Sequence, residues 1–273
     1  MHSRGIDTVF AGSIPELYDT CMVPLIFEPY ATDLAKRVAS LKPSRVLETA
    51  AGTGVATRAL ARVLAADVEL VATDLNQPML AQGERVGTQR PVQWKQADAL
   101  QLPFDDASFD VVACQFGTMF FPDKARGFAE ARRVLRPGGT LVFSVWDRIE
   151  ENEFADMVTM ALAKLYPADP PRFMARTPHG YGDRQVVSAD LRAGGFNQPP
   201  RIDTVAARSR AASPRVPAVA YCQGTPLRSE IEARGGPLAE ATSACERAIA
   251  ARFGDGPVDG KIQAHIVAVL NEP

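Results

Sequence analysis

The sequence predicts an α/β protein with a doubly wound, mostly parallel sheet and helical lid insertions, and three observations carry that prediction. Short β-branched runs alternate with longer stretches of helical period. A run of small residues, ETAAGTG (Glu48 to Gly54), fills the corner between the first strand and the helix after it. Successive strands then end on acids: Glu48, Asp74 and Asp98.

The first strand is SRVLET, and ATRALARVLA has the spacing of a helix that covers it. ELVATD, QPMLAQGERV and VQWKQA continue the strand, helix, strand order, which implies βαβ units and parallel pairing. FDVVACQF supplies a fourth strand, DKARGFAEARRVL a helix that Asp123 is placed to cap, RPGG a turn and TLVFSVW a fifth strand. Phe128, Ala131 and Leu135 fall on one face of that helix. The rhythm stops after Trp146. Residues 147–180 read as an insertion over one end of the sheet, a helix EFADMVTMALAKLY and then a proline-rich loop PADPPRFMARTPHG. A helix DRQVVSADLRAGGF, ending at Gly194 and Gly195, and a strand RIDTVAARSR return the chain to the sheet. Residues 213–255 predict two helices, around GTPLRSEIEARGG and LAEATSACERAIAARFG, and KIQAHIVAVL a last strand. With no internal repeat and no low-complexity linker, 1–273 is expected to be a single domain. Its parts are an N-terminal helical lid (1–35), a ligand-binding half (36–146), helical caps (147–180 and 213–255), and C-terminal strands and a helix (181–212 and 256–273).

A 273-residue chain that is 46% apolar can cover such a sheet on both faces. Its net charge of −2 supplies no global positive field, which argues against nucleic acid or an anionic membrane as partner. Cys21, Cys114, Cys222 and Cys245 lie far apart with no CxxC pair, as expected of reduced thiols in a cytoplasm. CMVPLIF is too short for a span and is broken by Pro24, and the N-terminal stretch lacks a signal-peptide run. The expectation is a cytoplasmic protein without membrane insertion that handles a small molecule, and a homodimer is compatible with it.

Ligands of open α/β sheets bind at the carboxyl ends of the strands, where the strand order reverses. At ETAAGTG the small side chains let the backbone approach a ligand, and the free N–H groups of the next helix favour a negative group. The same glycines also serve a plain tight turn. Asp74 reads equally as an acceptor for both hydroxyls of a ribose or as a helix N-cap. Glu48, Asp74 and Asp98 converging on one edge disfavour a polyphosphate and favour a nucleoside with a cationic or zwitterionic tail. A dinucleotide site would have a third small residue where Thr57 stands, and would leave Asp98 without a task.

These residues resemble the class I S-adenosylmethionine-dependent methyltransferases, and in particular the group of the ubiquinone and menaquinone biosynthesis methyltransferases. VLETAAGTG is similar to their first motif, usually VLDxxCGTG, and VATDLNQPML to the acidic motif of the second strand. DALQLPFDDASFDVVACQFGTMFFPD and EARRVLRPGGTLVFSVW match the motifs that follow, so the resemblance runs from Arg45 to Trp146. Glu48 keeps the charge of the usual acid, while Ala50 and Ala51 stand where glycine and cysteine are common. The resemblance implies a Rossmann-like seven-stranded sheet with an antiparallel C-terminal strand. It implies S-adenosylmethionine as cofactor and S-adenosylhomocysteine as product. Glu48, Ala50 and the backbone of Ala51, Gly52, Thr53 and Gly54 would surround the methionyl end. Asp74, followed by Asn76, would hold the ribose, and Leu75 and Met79 would flank the adenine. Asp98 would accept from the adenine amino group beside the Ala99 N–H. Gln115 and Phe116 would lie close to the sulfonium, although Phe116 also reads as plain core.

Methyl transfer from a sulfonium needs alignment and exclusion of water more than a protein-bound electrophile. Lid candidates are Phe10, Tyr18, Phe27 and Tyr30 in the N-terminal stretch and Phe154, Met157, Met160, Phe173 and Met174 in the insertion, most of which read equally as core. The resemblance makes Tyr18 the favoured lid contact, since enzymes of that group often place an N-terminal tyrosine near the cofactor, and its ring face would also favour a sulfonium. CQFG lacks the Asn or Asp, Pro, Pro, aromatic pattern of exocyclic-amine methylation, and DPPR (169–172) belongs to the insertion loop. No acid stands at Cys114 to ligate a metal, and none is expected. Of the three histidines, His2 and His265 read as bystanders, and His179, with Tyr18, is the candidate catalytic group. Arg201, Arg208, Arg210 and Arg215 form a local basic run that reads as a solvated edge or as a guide for an acidic substrate. The expected function is methyl transfer to an oxygen or carbon of a small, mostly apolar acceptor. Its rivals are a non-catalytic S-adenosylmethionine-binding regulator and an NAD-dependent oxidoreductase.

Overall fold

The computed structural model describes residue 7, residue 12 and residues 14–272. Seven strands are formed by residues Arg45–Glu48 (β1), Glu69–Asp74 (β2), Gln93–Gln96 (β3), Phe109–Gln115 (β4), Leu135–Trp146 (β5), Arg201–Ala211 (β6) and Val258–Leu270 (β7). They make one sheet in the order β3-β2-β1-β4-β5-β7-β6. The first five pair in parallel, and β7 runs antiparallel to both of its neighbours. The chain winds outward from β1 in one direction through β2 and β3, then in the other through β4 and β5. The winding therefore reverses between β1 and β4, and a crevice opens at their carboxyl ends.

The central strands are buried on both faces, which is why VVAC and VFSVW read as continuous apolar runs rather than alternating ones. At the far edge, β6 alternates, and Arg208 and Arg210 point outward along it. Such charges blunt an edge that would otherwise pair with another chain. Asp123 caps helix Lys124–Val134 by accepting from the Arg126 N–H at 2.9 Å. Asp183 caps helix Arg184–Ala193 in the same way, and Gly194 follows that helix.

Several stretches depart from the sequence expectation. RPGG is not a free turn: the pairing of β4 with β5 slips from Phe109↔Leu135 to Val111↔Thr140, so Arg136 to Gly139 bulge out of the ladder. Asn271 holds the bulge, its carbonyl accepting from the Gly138 N–H at 2.7 Å. Residues 213–255 hold three helices rather than two, because RVPAVAYCQ forms Arg215–Gln223 ahead of Leu227–Glu232 and Leu238–Phe253. The proline-rich loop contains a short helix, Phe173–Arg176. The segment Tyr18–Phe27 is a wide π-type helix around Pro24, ending where the Glu28 N–H reaches the Val23 carbonyl. Pro24 lacks an N–H to offer the α-helical ladder.

An aromatic cluster joins this N-terminal segment to the sheet. Phe116 and Trp146 stack with centroids 3.9 Å apart, and Tyr30 meets both edge-on at 5.3 Å. The Tyr30 hydroxyl donates to the Val205 carbonyl at 3.1 Å. Among the described residues no helix is long and apolar enough to cross a membrane.

Candidate active site

A cavity of about 940 Å³ opens at the carboxyl ends of β1, β2 and β4. That is the upper end of the size of small-molecule sites, roughly 300–1,000 Å³. Two of the turns that build it are strained: Ala50 (φ 52°) and Phe116 (φ 53°) both adopt the left-handed backbone without being glycine. They are locked against each other at Gly117, where a Cβ would stand 2.3 Å from Ala50 Cβ and 2.8 Å from Cys114 Sγ.

The two glycines of the first turn have different tasks. Gly54 (φ 84°) precedes helix Val55–Val63, and a Cβ there would collide with Trp94 at 2.6 Å, so it serves packing. Gly52 (φ 58°) lines the cavity with nothing closer to its open side than Met79 at 3.6 Å. Its N–H donates to Asp74 Oδ2 at 2.9 Å.

Asp74 is the hinge of the site. Its Oδ1 accepts from the Asn76 N–H at 2.7 Å, and helix Gln77–Val86 begins beyond Asn76, so Asp74 ties two turns together rather than capping that helix. Burial raises its pKa above the ordinary value, opposed by the Asn76 and Gly52 N–H donors. An ionised carboxylate has about four acceptor positions: the Gly52 N–H leaves one open on Oδ2, and on Oδ1 the second position holds only the long contact from the Asn76 side-chain amide, 3.5 Å, which a ligand hydroxyl can replace. That is the complement of a vicinal diol. Gln115 is buried at the cavity wall, its Nε2 donating to the Phe27 carbonyl at 3.3 Å and its Oε1 without a partner among the described residues. Asp98 lies exposed at the rim, accepting from the Leu100 N–H at 2.8 Å. Leu75, 50% exposed, and the buried Met79 stand at the same end.

Tyr18 covers the turn from above. Its ring stacks on Phe27 at 5.2 Å, and burial together with the carboxylates of Asp74 and Asp19 raises its pKa, so it stays protonated. Asp19 pairs with Arg58 at 3.0 Å, and Arg58 also donates to the Thr53 carbonyl at 2.7 Å. At the opposite end Asp7 accepts from Arg176 and from the Thr177 hydroxyl, each at 2.6 Å.

Of the sequence candidates, Tyr18, Ala50, Gly52, Asp74, Leu75, Asn76, Met79, Asp98, Ala99, Gln115 and Phe116 line the cavity. Glu48, Ala51, Thr53 and Gly54 do not; they form the layer beneath. Glu48 is buried and accepts from the Thr57 hydroxyl at 2.6 Å, which gives Thr57 its task. Burial pushes Glu48 up to about 8, against the Thr57 hydrogen bond and the charge of Arg58. His179 stands outside the main cavity, facing a smaller recess behind Phe116. His265 bonds to Thr204 at 2.9 Å. Tyr30 and Phe154 are core, and Met160 is exposed. The basic run is compensated: Arg201 by Asp203, Arg208 and Arg210 by Asp259, and Arg215 by Glu246. No residue of DPPR lines the cavity. His2 and Phe10 lie outside the described residues.

Sequence reasoning missed the far wall: Gly117, Met119, Phe120, Phe121, Lys124 and Tyr181. FGTMFF directly follows β4, so its place in the chain was a usable signal. Tyr181, whose hydroxyl donates to Asp190 at 2.7 Å, gave none, because only the folded path of the chain past the insertion brings it there.

A family model described as a methyltransferase domain matches residues 47–143. The demethylmenaquinone methyltransferase of Clavibacter sepedonicus is 34% identical over 172 residues, covering 59% of this chain and 69% of that one. The ubiquinone/menaquinone biosynthesis C-methyltransferase of Teredinibacter turnerae is 31% identical over 167 residues, 56% and 67% of the two chains. Among solved structures, the phosphoethanolamine N-methyltransferase 2 of Haemonchus contortus superposes with a TM-score of 0.58 at 16% identity, covering 96% of this chain and 57% of that one. The YcgJ protein of Bacillus subtilis gives 0.55 at 16% identity, covering 90% and 99%. At such identities the solved structures show the fold alone. The two sequence relatives show more: the chain belongs to the class I S-adenosylmethionine-dependent methyltransferases, in the group of the ubiquinone and menaquinone biosynthesis methyltransferases.

Proposed function

We propose that the protein moves a methyl group from S-adenosylmethionine to an oxygen or carbon atom of a small, mostly apolar acceptor. The observation that carries this reading is one cavity with two chemistries. Turns and carboxylates surround Asp74 at one end with Tyr18 over them, and Phe116, Met119, Phe120 and Phe121 wall the rest, beside the paired Asp7 and Arg176. In this reading Asp74 receives the ribose hydroxyls, while Leu75 and Met79 flank the adenine and Asp98 and Ala99 meet its edge. Asn76 accompanies Asp74 at the ribose, the turn from Ala50 to Gly54, supported by Glu48, receives the methionyl end, and Gln115 and Phe116 lie close to the sulfonium.

Bound there, S-adenosylmethionine supplies an electrophilic methyl group whose leaving group is a neutral thioether. The residues of the chain align the partners and exclude water. Phe116, fixed by its stack on Trp146, is a rigid wall for an acceptor ring. Tyr18 is held protonated over the turn, its face available to a cation. The relatives are named for quinones, which makes hydroxylated rings the first acceptors to try.

The test is incubation of the protein with methyl-labelled S-adenosylmethionine and a panel of naphthohydroquinones and phenols, with products read by mass spectrometry. Methylation of a ring acceptor is expected. Tight binding of S-adenosylhomocysteine with transfer to no member of the panel would instead favour the regulatory, non-catalytic reading.

A further inference from the structure

Behind the aromatic wall lies a second, smaller recess of about 50 Å³, which shares Tyr18, Phe116 and Phe120 with the main cavity. Its other walls include Trp146, Phe173 and Met174, with Asn152, His179, Tyr221 and Thr225 set among them; Asn152 and Thr225 are taken up by hydrogen bonds to the backbone. The orientation of His179 is fixed. Its Nδ1 lies 2.9 Å from the Asp147 carbonyl oxygen, which only accepts, so Nδ1 carries the proton and Nε2 is left as a bare acceptor. The ring packs 5.9 Å from Trp146, and no partner for Nε2 is found among the described residues. Tyr221 is buried against the same recess.

An apolar space of about 150 Å³ holds a benzene ring, so a recess of this size takes a substituent and not a ring. An acceptor ring must therefore stay on the main-cavity side of Phe116 and reach into the recess with a small group. A methyl group would leave His179 Nε2 buried and unpaired, which costs free energy. A hydroxyl satisfies it. We infer that the recess is a subsite for the acceptor's hydroxyl group, with His179 Nε2 accepting its hydrogen bond and so selecting hydroxylated over O-methylated or unsubstituted rings. Burial depresses the His179 pKa to about 4, which keeps the ring neutral and Nε2 an acceptor at neutral pH. The inference rests on the apolar-acceptor reading above.

Calorimetry of 2-naphthol and 2-methoxynaphthalene binding to the protein saturated with S-adenosylhomocysteine tests it. The wild type should prefer 2-naphthol by about tenfold, the worth of one hydrogen bond to a buried group. His179→Phe, which keeps the aromatic packing on Trp146, should bring the two affinities within about twofold. His179→Gln, which keeps an acceptor and can still donate to Asp147, should retain most of the preference. A structural role alone would shift both compounds together and leave their ratio intact. Equal affinities in the wild type, or an undiminished preference in His179→Phe, would overturn the subsite while leaving the apolar-acceptor reading in place. Binding of neither compound would overturn both.

Discussion

The two ends of the cavity are built on different principles. The Asp74 end is made of backbone: three turns that each follow a parallel strand, two of them strained at Ala50 and Phe116 and interlocked at Gly117. The aromatic end is made of side chains delivered from distant parts of the chain. Tyr18 comes from the N-terminal segment, Phe120 from the turn after β4 and Tyr181 from the stretch just past the insertion. A ligand common to a whole family suits the first construction, since backbone geometry survives most side-chain changes. An acceptor that varies between relatives suits the second.

By that contrast the largest effect of a single change belongs to Asp74, the side chain that joins two of the turns. Asp74→Ala removes two acceptor positions offered to a diol and releases the Gly52 and Asn76 N–H groups. Hydrogen bonds to a charged group are worth about 1.5–3 kcal/mol each, so S-adenosylhomocysteine affinity should fall about 100-fold or more in titration calorimetry. A loss within about threefold would mean that the turns hold the ligand without their carboxylate.

The layer beneath the turns sharpens the contrast through pH. Glu48 in the folded protein is pushed up to about 8 from an ordinary 4.5, first by burial. The folded state therefore keeps a proton that the unfolded chain releases. Stability should fall as pH rises from about 4.5 to about 8, by up to about 1.4 kcal/mol per pH unit from this group. Glu48→Gln should remove that slope. Urea unfolding of ligand-free wild type and variant at pH 5 and pH 8 isolates it, because other titrating groups cancel in the difference. Parallel pH dependences would show that Glu48 is ionised in the folded state throughout.

The same contrast explains what could be read from the sequence. The strands β1 to β5 and the acids that follow them lie in one continuous stretch, Arg45 to Trp146, and each turn is specified by its own local sequence. Even there, the reason for Thr57 was hidden, because the hydroxyl bond to Glu48 needs helix Val55–Val63 to fold back over β1. The bulge at RPGG was hidden for a similar reason: its support is Asn271, at the other end of the chain. At the aromatic end, hydrophobic side chains at helical spacing look alike whether they face core or ligand. Phe154, fully buried against Phe253, and Phe120, on the cavity wall, differ only in their tertiary surroundings. The recess at His179 depends on Tyr221, whose helix was not foreseen.

The smallest effect is expected at the joint between the two ends. Arg58 holds the Thr53 carbonyl of the first turn at 2.7 Å with one nitrogen and Asp19 of the N-terminal segment at 3.0 Å with another. The two side chains are 15% and 12% exposed, so the pair is worth more than a surface ion pair. Asp19→Asn keeps the volume and removes the charge, loosening the segment that carries Tyr18 while leaving Arg58 on the turn. A cost of about 1–2 kcal/mol follows, between the surface and fully buried limits. It should appear as an S-adenosylhomocysteine dissociation rate faster by about 5–30-fold in stopped flow, since loss of a cover acts mainly on escape. Arg58→Met should cost more, because it frees the turn as well as the cover. If both variants release the ligand at the wild-type rate, the N-terminal segment does not cover the bound cofactor. The backbone end then retains its ligand unaided, and Tyr18 serves the acceptor alone.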